Sequence, residues 1–198
     1  MAVDLTKFGA CIVKSAIDQS QFTVKTFWEE SPCIIALLRR FGCPFCRLET
    51  LELSRMRQPL QNKSVRLIAI GHDKDGLEDF KNGEFFDGEL YLDEQRTTYN
   101  SLQLGRVGMF SGFRSLFSSA GRNLIHETKE KKVYGDLKGD GWQTGGLLVI
   151  DKGGNVLYSF KQDKITDNPD YAMIRELFNV KEEELAALRT EQPKAECK

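Results

Sequence analysis

Residues 33–70 read CIIALLRRFGCPFCRLETLELSRMRQPLQNKSVRLIAI. Two apolar runs of strand length, residues 33–38 and 65–70, enclose a segment in which Leu53, Met56 and Leu60 fall at helical spacing. Apolar runs of this kind are typical of strands that are covered on both faces of a sheet. The stretch therefore predicts a β-α-β unit, with a helix that starts at Pro44 and continues through residues 47–60.

The motif Cys43-Pro44-Phe45-Cys46 lies where the first predicted strand gives way to the helix. Pro44 suits the first helical position, because its missing N–H needs no partner there, and this leaves Cys43 as the N-cap. The free N–H groups and the positive dipole at a helix start favour a thiolate. Two sulfurs one turn apart can also form a disulfide and return two electrons. The motif predicts a redox-active pair in which Cys43 attacks and Cys46 resolves.

Three arginines, Arg39, Arg40 and Arg47, surround this motif in the sequence. Their positive charges are expected to lower the pKa of Cys43, so that it is a thiolate at neutral pH. We take Arg40 and Arg47 as candidate supporting residues, which would stabilise negative charge that develops on a substrate.

A CxxC pair is also half of a zinc site, which needs two further ligands. The other candidate ligands are scattered, since Cys11 and Cys33 fall inside strand-like runs and His72 and His126 are isolated. Buried free cysteines usually act as small hydrophobic residues. The redox pair is therefore favoured over a zinc site or an inert structural pair, and no metal ligand is assigned.

The rest of the chain adds further strands and helices around this unit. Strands are predicted at residues 10–13, 21–25, 90–92, 146–150 and 156–161, and helices at residues 75–81, 94–102 and 170–178. This order is that of a thioredoxin-like α/β fold, with a central mixed sheet flanked by helices and an N-terminal hairpin extension. We expect one domain over residues 1–180 and a charged, flexible tail over residues 181–198.

Composition excludes several classes of function. With 28 basic and 29 acidic residues the formal net charge is -1, so no overall field recruits nucleic acid or an anionic membrane. The first residues lack a signal peptide and no apolar run is long enough to span a bilayer, which predicts a cytosolic protein without membrane insertion. Five cysteines, an odd number, fit a reducing compartment. Oligomeric state stays open.

Nucleotide-binding motifs do not occur in the sequence. Neither GxGxxG after a strand nor GxxxxGK[ST] is present. We therefore expect no bound cofactor, and expect electrons from NADPH to arrive indirectly through another protein.

Residues 105–135 carry six basic side chains against two acidic ones, with Phe110, Phe113 and Phe117 interleaved at near-helical spacing. One interpretation is a flap that holds an amphipathic anion such as a fatty acid. The other is a helix that packs on the sheet and keeps its basic face in water.

Two more positions are candidates for the site. The glycine-rich residues 135–146 lead into a predicted buried strand, and in thioredoxin-like topology Trp142, Gln143 and Thr144 would then line the dithiol; a tight turn with an edge tryptophan is the alternative. His72 follows the strand at residues 65–70, at a sheet edge where functional sites collect. It is either a proton donor or a solvated loop histidine.

Four spaced segments resemble the peroxiredoxin-like 2 family: RRFGCPFCR (39–47), VDLTKFGACIVKSA (3–16), GELYLDEQRTTY (88–99) and GDGWQTGGLLVIDKGG (139–154). The resemblance runs from about residue 3 to residue 180. It implies a thioredoxin-like fold, a cytosolic location, and NADPH-dependent reduction of prostaglandin H2 and its ethanolamide to F2α products. Only Cys43 and Cys46 match the family's redox pair.

Ordinary peroxiredoxins have Pro-x-x-x-Thr-x-x-Cys at the peroxide-reacting cysteine, whereas here Arg40 occupies the threonine position and Gly146, not proline, starts the last strand pair. These departures favour a bulkier O–O substrate. The leading hypothesis is endoperoxide reduction by the dithiol, recycled by thioredoxin. The alternatives are a thioredoxin-coupled peroxidase for hydrogen peroxide or lipid hydroperoxides, and a non-enzymatic redox-sensitive binding protein.

Overall fold

A mixed β-sheet forms the centre of the fold in our computed structural model, which describes residues 3–108, 117–136 and 138–186. Within these residues the sheet has seven strands in the spatial order β2-β1-β5-β4-β3-β6-β7. The strands are β1 (Ile12–Ser15), β2 (Gln21–Thr23), β3 (Cys33–Leu37), β4 (Arg66–Gly71), β5 (Glu89–Leu92), β6 (Gly146–Ile150) and β7 (Val156–Lys161).

The pairing of these strands gives the topology that the sequence predicts. β3, β4 and β5 run parallel, β6 pairs antiparallel with β3, and β7 at the edge pairs antiparallel with β6. The N-terminal hairpin of β1 and β2 joins the other side of the sheet, where β1 pairs antiparallel with β5. The thioredoxin-like fold with a hairpin extension is confirmed.

Helices cover both faces of this sheet. They are α1 (Leu5–Gly9), α2 (Pro44–Arg55), α3 (Arg57–Asn62), α4 (Leu77–Asn82), α5 (Thr97–Ser101), α6 (Ser119–Glu130) and α7 (Tyr171–Leu177), with 3-10 turns at Val24–Phe27 and Glu182–Glu184. Successive residues of β3 point to opposite sides, so Ile34 lies in one apolar cluster and Ile35 in the other. No helix in the described ranges combines the length and apolar character that crossing a bilayer requires.

The single helix predicted over residues 47–60 is wrong, because the chain forms α2 and α3 with a break at Met56. Pro59 has no N–H to donate to the carbonyl of Arg55 four residues earlier. That carbonyl accepts the N–H of Ala186 at 3.1 Å, and Arg55 Nε donates to the Ala186 carbonyl at 3.1 Å. The break thus provides the contact that holds residues 181–186 against α2, whereas residues 187–198 of the predicted tail lie outside the described residues.

The basic segment at residues 105–135 contains the helix α6. Its N-cap Ser118 accepts the N–H of Gly121 at 3.1 Å, and Leu124 is buried where α6 packs on α2. The predicted helix is therefore confirmed for Ser119–Glu130, but the prediction that it packs on the sheet is wrong, because its contacts are with α2. Phe117 is 75% exposed. Phe110, Phe113 and Arg114 lie outside the described residues, so the flap interpretation stays untested there.

Candidate functional site

Both sulfurs of the CxxC motif are buried at the start of α2. Cys43 has an extended backbone (φ -76°, ψ 121°) and is the N-cap, with Pro44 at the first helical position, as the sequence predicts. Cys46 follows within the first turn. The two residues are only 2% and 3% exposed, respectively. They are therefore a shielded pair on a rigid element.

The electrostatics of the pair distinguish the two sulfurs. A hydrogen bond from the Cys46 thiol holds the pKa of Cys43 well below its ordinary value, burial opposes this, and the charge of Arg39 adds to the lowering. The same hydrogen bond and burial raise the pKa of Cys46. Cys43 is thus the sulfur that favours the thiolate and Cys46 the one that favours the thiol, while their roles as attacking and resolving cysteines stay predictions.

Arg39 is the arginine that contacts the reactive sulfur. Its Nη2 lies 3.5 Å from Cys43 Sγ, and its Nη1 donates to the carbonyl of Ile165 at 3.2 Å. The backbone carbonyl of Arg39 contacts Nε2 of His72. Arg39 is therefore fixed at both its side chain and its backbone, with its charge directed at the thiolate.

Arg40 instead binds a segment that we call the strap, residues 134–136 and 138. Its Nη1 donates to the carbonyl of Lys138 at 2.7 Å and lies 3.8 Å from Asp136 Oδ1. The Asp136 N–H donates to the carbonyl of Gly42 at 2.8 Å. The Asp136 carboxyl packs so closely on Gly42 that a Cβ atom at position 42 would overlap it. Arg40 thus holds the strap beside the CxxC turn, and its charge is a lesser cause of the low Cys43 pKa.

Arg47 holds the other end of the same strap. Its Nε donates to the carbonyl of Phe41 at 2.8 Å, and its Nη1 donates to the carbonyl of Tyr134 at 2.7 Å. The guanidinium lies over the Phe85 ring, 4.4 Å from its centroid. These contacts give Arg47 a positioning role in the turn and the strap, while the proposed support of a substrate's charge stays a prediction for both Arg40 and Arg47.

The loop before β6 is tied to a neighbouring segment. The Thr144 hydroxyl and the Gln143 amide each donate to the carbonyl of Gly105 at 3.0 Å. The carbonyl of Trp142 accepts the N–H of Val107 at 2.8 Å, and the Trp142 side chain is 37% exposed. The loop reaches the site chiefly through Gly141 and Gly145, which pack near Arg40 and Arg39. A direct role of Trp142 and Thr144 in lining the dithiol stays a prediction.

His72 is not a solvated loop residue, since it is 2% exposed. Burial lowers its pKa, and its Nδ1 lies 3.3 Å from Asp73 Oδ2. Its ring packs edge-on against Tyr99, whose hydroxyl lies 2.7 Å from the Leu38 carbonyl and 2.8 Å from the Ile70 carbonyl. His72 and Tyr99 therefore hold together the ends of β3 and β4 that lead into the site.

Metal binding has no support in the part of the chain that the structure describes. No group of three or more His, Cys, Asp or Glu side chains is placed there to hold an ion. Cys11, Cys33, Cys43 and Cys46 are all free thiols.

Comparison with known proteins shows the family to which this chain belongs. A family model described as AhpC/TSA antioxidant enzyme matches residues 52–164. Proteins named prostamide/prostaglandin F synthase are 40% identical over 161 residues in Pongo abelii, with 81% of each chain covered, and 31% identical over 169 residues in Danio rerio, with 85% of this chain and 84% of the relative covered. This chain belongs to the peroxiredoxin-like family that includes these synthases.

Solved structures agree on the fold of this family member. Xanthomonas campestris bacterioferritin comigratory protein has a TM-score of 0.60 at 11% identity, covering 91% of this chain and 98% of that chain. A cysteine-to-serine mutant of Arenicola marina peroxiredoxin 6 has a TM-score of 0.58 at 14% identity, covering 87% of this chain and 70% of that chain. The relatives show that the chain is an enzyme, a thiol oxidoreductase of the synthase type. The family match begins at residue 52, after the CxxC motif, so it does not include Cys43 or Cys46. Any role of these two cysteines is therefore argued from their geometry.

One residue of this enzyme's site gives no signal in sequence motifs. Glu49 lies on α2, one turn beyond Cys46. Burial raises the pKa of its carboxyl to about 8, the negative charge of Cys43 adds to this, and Arg39 opposes it. The residue keeps part of its surface in contact with solvent. Only the three-residue spacing from Cys46 would have pointed to it.

Proposed function

We propose that this enzyme reduces the endoperoxide bond of prostaglandin H2 and of its ethanolamide, prostamide H2, to F2α products. The observation that carries the proposal is the buried pair of a Cys43 thiolate and a protonated Cys46 at the start of α2. The names of its relatives, which include prostaglandin F synthases at up to 40% identity, support the choice of substrate.

The reaction begins when Cys43 Sγ attacks one oxygen of the O–O bond. An S–O bond forms, the O–O bond breaks, and the leaving alkoxide takes a proton. Cys46 Sγ, once deprotonated, then attacks Cys43 Sγ, so that an S–S bond forms and the S–O bond breaks. The second oxygen takes a proton, and the substrate has gained two electrons and two protons while the dithiol has become a disulfide.

The disulfide is returned to the dithiol by a thioredoxin-type reductant, which draws its electrons from NADPH. No nicotinamide binds this chain in the proposed cycle, because the electrons pass by thiol–disulfide exchange. A cytosolic location fits this proposal, since a reducing compartment keeps the dithiol available.

A second candidate is peroxidase activity toward hydrogen peroxide or lipid hydroperoxides. It is favoured by the family description as an antioxidant enzyme and by the fold neighbour described for alkyl peroxide reduction. The same two sulfurs would perform it. The chain is an enzyme, so the alternative of a non-enzymatic binding protein does not apply.

An assay coupled to NADPH through thioredoxin and its reductase separates the two candidates. We expect kcat/KM for prostaglandin H2 to exceed that for cumene hydroperoxide. A higher value for cumene hydroperoxide would replace the synthase proposal with the peroxidase. Omission of thioredoxin should stop NADPH consumption, and continued consumption would contradict the proposed reductant.

A further inference from the structure

The proposed reaction needs a group that protonates the alkoxides, and Glu49 of α2 is the candidate. Side chains three residues apart on a helix are neighbours, so the Glu49 carboxyl lies on the same side of α2 as Cys46. The charges of Glu49, Cys43, Cys46 and Arg39 influence one another, and that of Glu49 also acts on Tyr171 of α7. The carboxyl thus lies on the Cys46 side of α2, within electrostatic range of both sulfurs.

Glu49 has no competing partner among the residues that the structure describes, where it makes neither a hydrogen bond nor an ion pair. Glu52, one turn further along α2, is different. Its carboxylate binds Arg55 at 2.9 Å and Lys131 at 3.0 Å. Glu52 is therefore committed to structure, whereas the Glu49 carboxyl is available for chemistry.

The charge state of Glu49 follows that of Cys43. While Cys43 is a thiolate, burial and that negative charge hold the pKa of Glu49 at about 8, and the carboxyl keeps its proton at neutral pH. Formation of the S–O bond removes the thiolate charge, so the pKa of Glu49 falls. The carboxyl becomes a stronger acid when the alkoxide needs a proton.

Two other groups near the site are less suited to this task. Burial raises the pKa of Tyr171 well above its ordinary value, so its hydroxyl does not release a proton at neutral pH. His72 contacts the Arg39 carbonyl through one ring nitrogen and faces Asp73 with the other. Burial also lowers the pKa of His72, so its ring is neutral at pH 7 and holds no acidic proton for the alkoxide.

We propose that Glu49 is the proton relay of the CxxC pair, a role that rests on the proposed function. It gives its proton to the first alkoxide, takes the proton of the Cys46 thiol as Cys46 attacks Cys43, and passes that proton to the second alkoxide. The two product hydroxyl protons thus come from Glu49 and Cys46. Glu49 ends the half-cycle ionised, and it regains a proton from water, to which it is partly exposed, when reduction of the disulfide restores the Cys43 thiolate.

Removal of a general acid lowers the reaction rate most for substrates whose leaving groups are strongly basic. In Glu49→Gln we expect kcat/KM to fall roughly 10²-fold or more for tert-butyl hydroperoxide and prostaglandin H2, but only a few-fold for peracetic acid, whose leaving group needs no proton. Glu52→Gln is the matched control and should change neither class. An equal loss for all substrates, or no loss with tert-butyl hydroperoxide, would overturn the relay.

A second measurement tests Glu49 without any peroxide. In a mixed disulfide of Cys43 with glutathione, attack by Cys46 releases glutathione at a rate that depends on deprotonation of Cys46. We expect Glu49→Gln to slow this release roughly tenfold at neutral pH and to change its pH profile, with Glu52→Gln unchanged. An unchanged rate and pH profile in Glu49→Gln would overturn the relay, whether or not the wild type reduces endoperoxides. A wild type that reduces no endoperoxide would overturn only the proposed function.

Discussion

Arg39 Nη2 lies 3.5 Å from Cys43 Sγ, and no other arginine of the CxxC region makes such a contact within the described residues. Arg40 and Arg47 donate to backbone carbonyls of the strap instead. Three arginines that are neighbours in sequence therefore have two different roles. Arg39 contacts the thiolate, whereas Arg40 and Arg47 position the turn that carries it, and the charge of Arg40 adds a lesser effect on the Cys43 pKa.

Replacement of Arg39 should weaken the nucleophile. In Arg39→Met the pKa of Cys43 should rise, and alkylation of the reduced protein by iodoacetamide at neutral pH should slow roughly tenfold, because a nearby cation favours the charged form of an acid. Alkylation rates measured across pH give the result directly. Arg57→Met, at a half-buried arginine 4.0 Å from Asp87, is the control and should leave the profile unchanged. If Arg39→Met gave the same pH profile of alkylation as Arg57→Met and the wild type, the role of Arg39 would be refuted.

Replacement of Arg47 should affect the fold more than the sulfur. Arg47→Met loses hydrogen bonds to the carbonyls of Phe41 and Tyr134 and the contact with the Phe85 ring. We expect the free energy of unfolding to fall by about 3 kcal/mol, because the two carbonyls lose charged donors. Urea unfolding measures this loss. A large rise in the pKa of Cys43 with unchanged stability would show that Arg47 acts on the thiolate after all.

The hydroxyl of Tyr99 should contribute measurably to stability. It bridges the Leu38 and Ile70 carbonyls at the ends of β3 and β4, in a site with no solvent access. Tyr99→Phe removes it and should cost about 1 to 3 kcal/mol in urea unfolding, because the hydroxyl has one proton to donate and its loss leaves a buried carbonyl without that donor. A cost near zero would mean that these carbonyls are satisfied without Tyr99.

Stability of the reduced enzyme should depend on pH through Cys43. Its folded pKa lies well below the ordinary 9.0, so the stabilisation is present above the unfolded pKa and is lost as pH falls through the folded pKa. The difference in unfolding free energy between wild type and Cys43→Ser should therefore grow as pH rises toward 9.0. Above that value, loss of the Cys46 proton acts in the opposite direction. A difference that is independent of pH would contradict the lowered pKa.

Much of the fold can be predicted from the sequence because its signals are local. The apolar runs identify β3, β4, β6 and β7, and the Cys43-Pro44 step identifies the start of α2. The break at Met56 escapes the same analysis, because Leu53, Met56 and Leu60 are all buried and keep helical spacing across it. Pro59 was the available signal. The contact between Arg55 and Ala186 gives no signal in the sequence, because the two residues are far apart in the chain.

The site is only partly predictable for a different reason. Sequence places Arg39, Arg40 and Arg47 near Cys43 but does not say where their guanidinium groups point. Their partners, such as Ile165 and Lys138, are brought together only by the folded chain. Glu49 belongs to no motif, so its place beside the dithiol follows only from the helix and what packs on it.

The chemistry of the two sulfurs is tested most directly by the mass of a trapped intermediate. In Cys46→Ser, reaction with prostaglandin H2 and rapid acid quench should give an adduct on Cys43 that has the mass of the whole substrate. Both oxygens of a cyclic endoperoxide stay in one molecule after the O–O bond breaks. Cys43→Ser should give no adduct. No adduct in Cys46→Ser, an adduct that persists in Cys43→Ser, or only a single added oxygen would contradict attack by Cys43 on the endoperoxide.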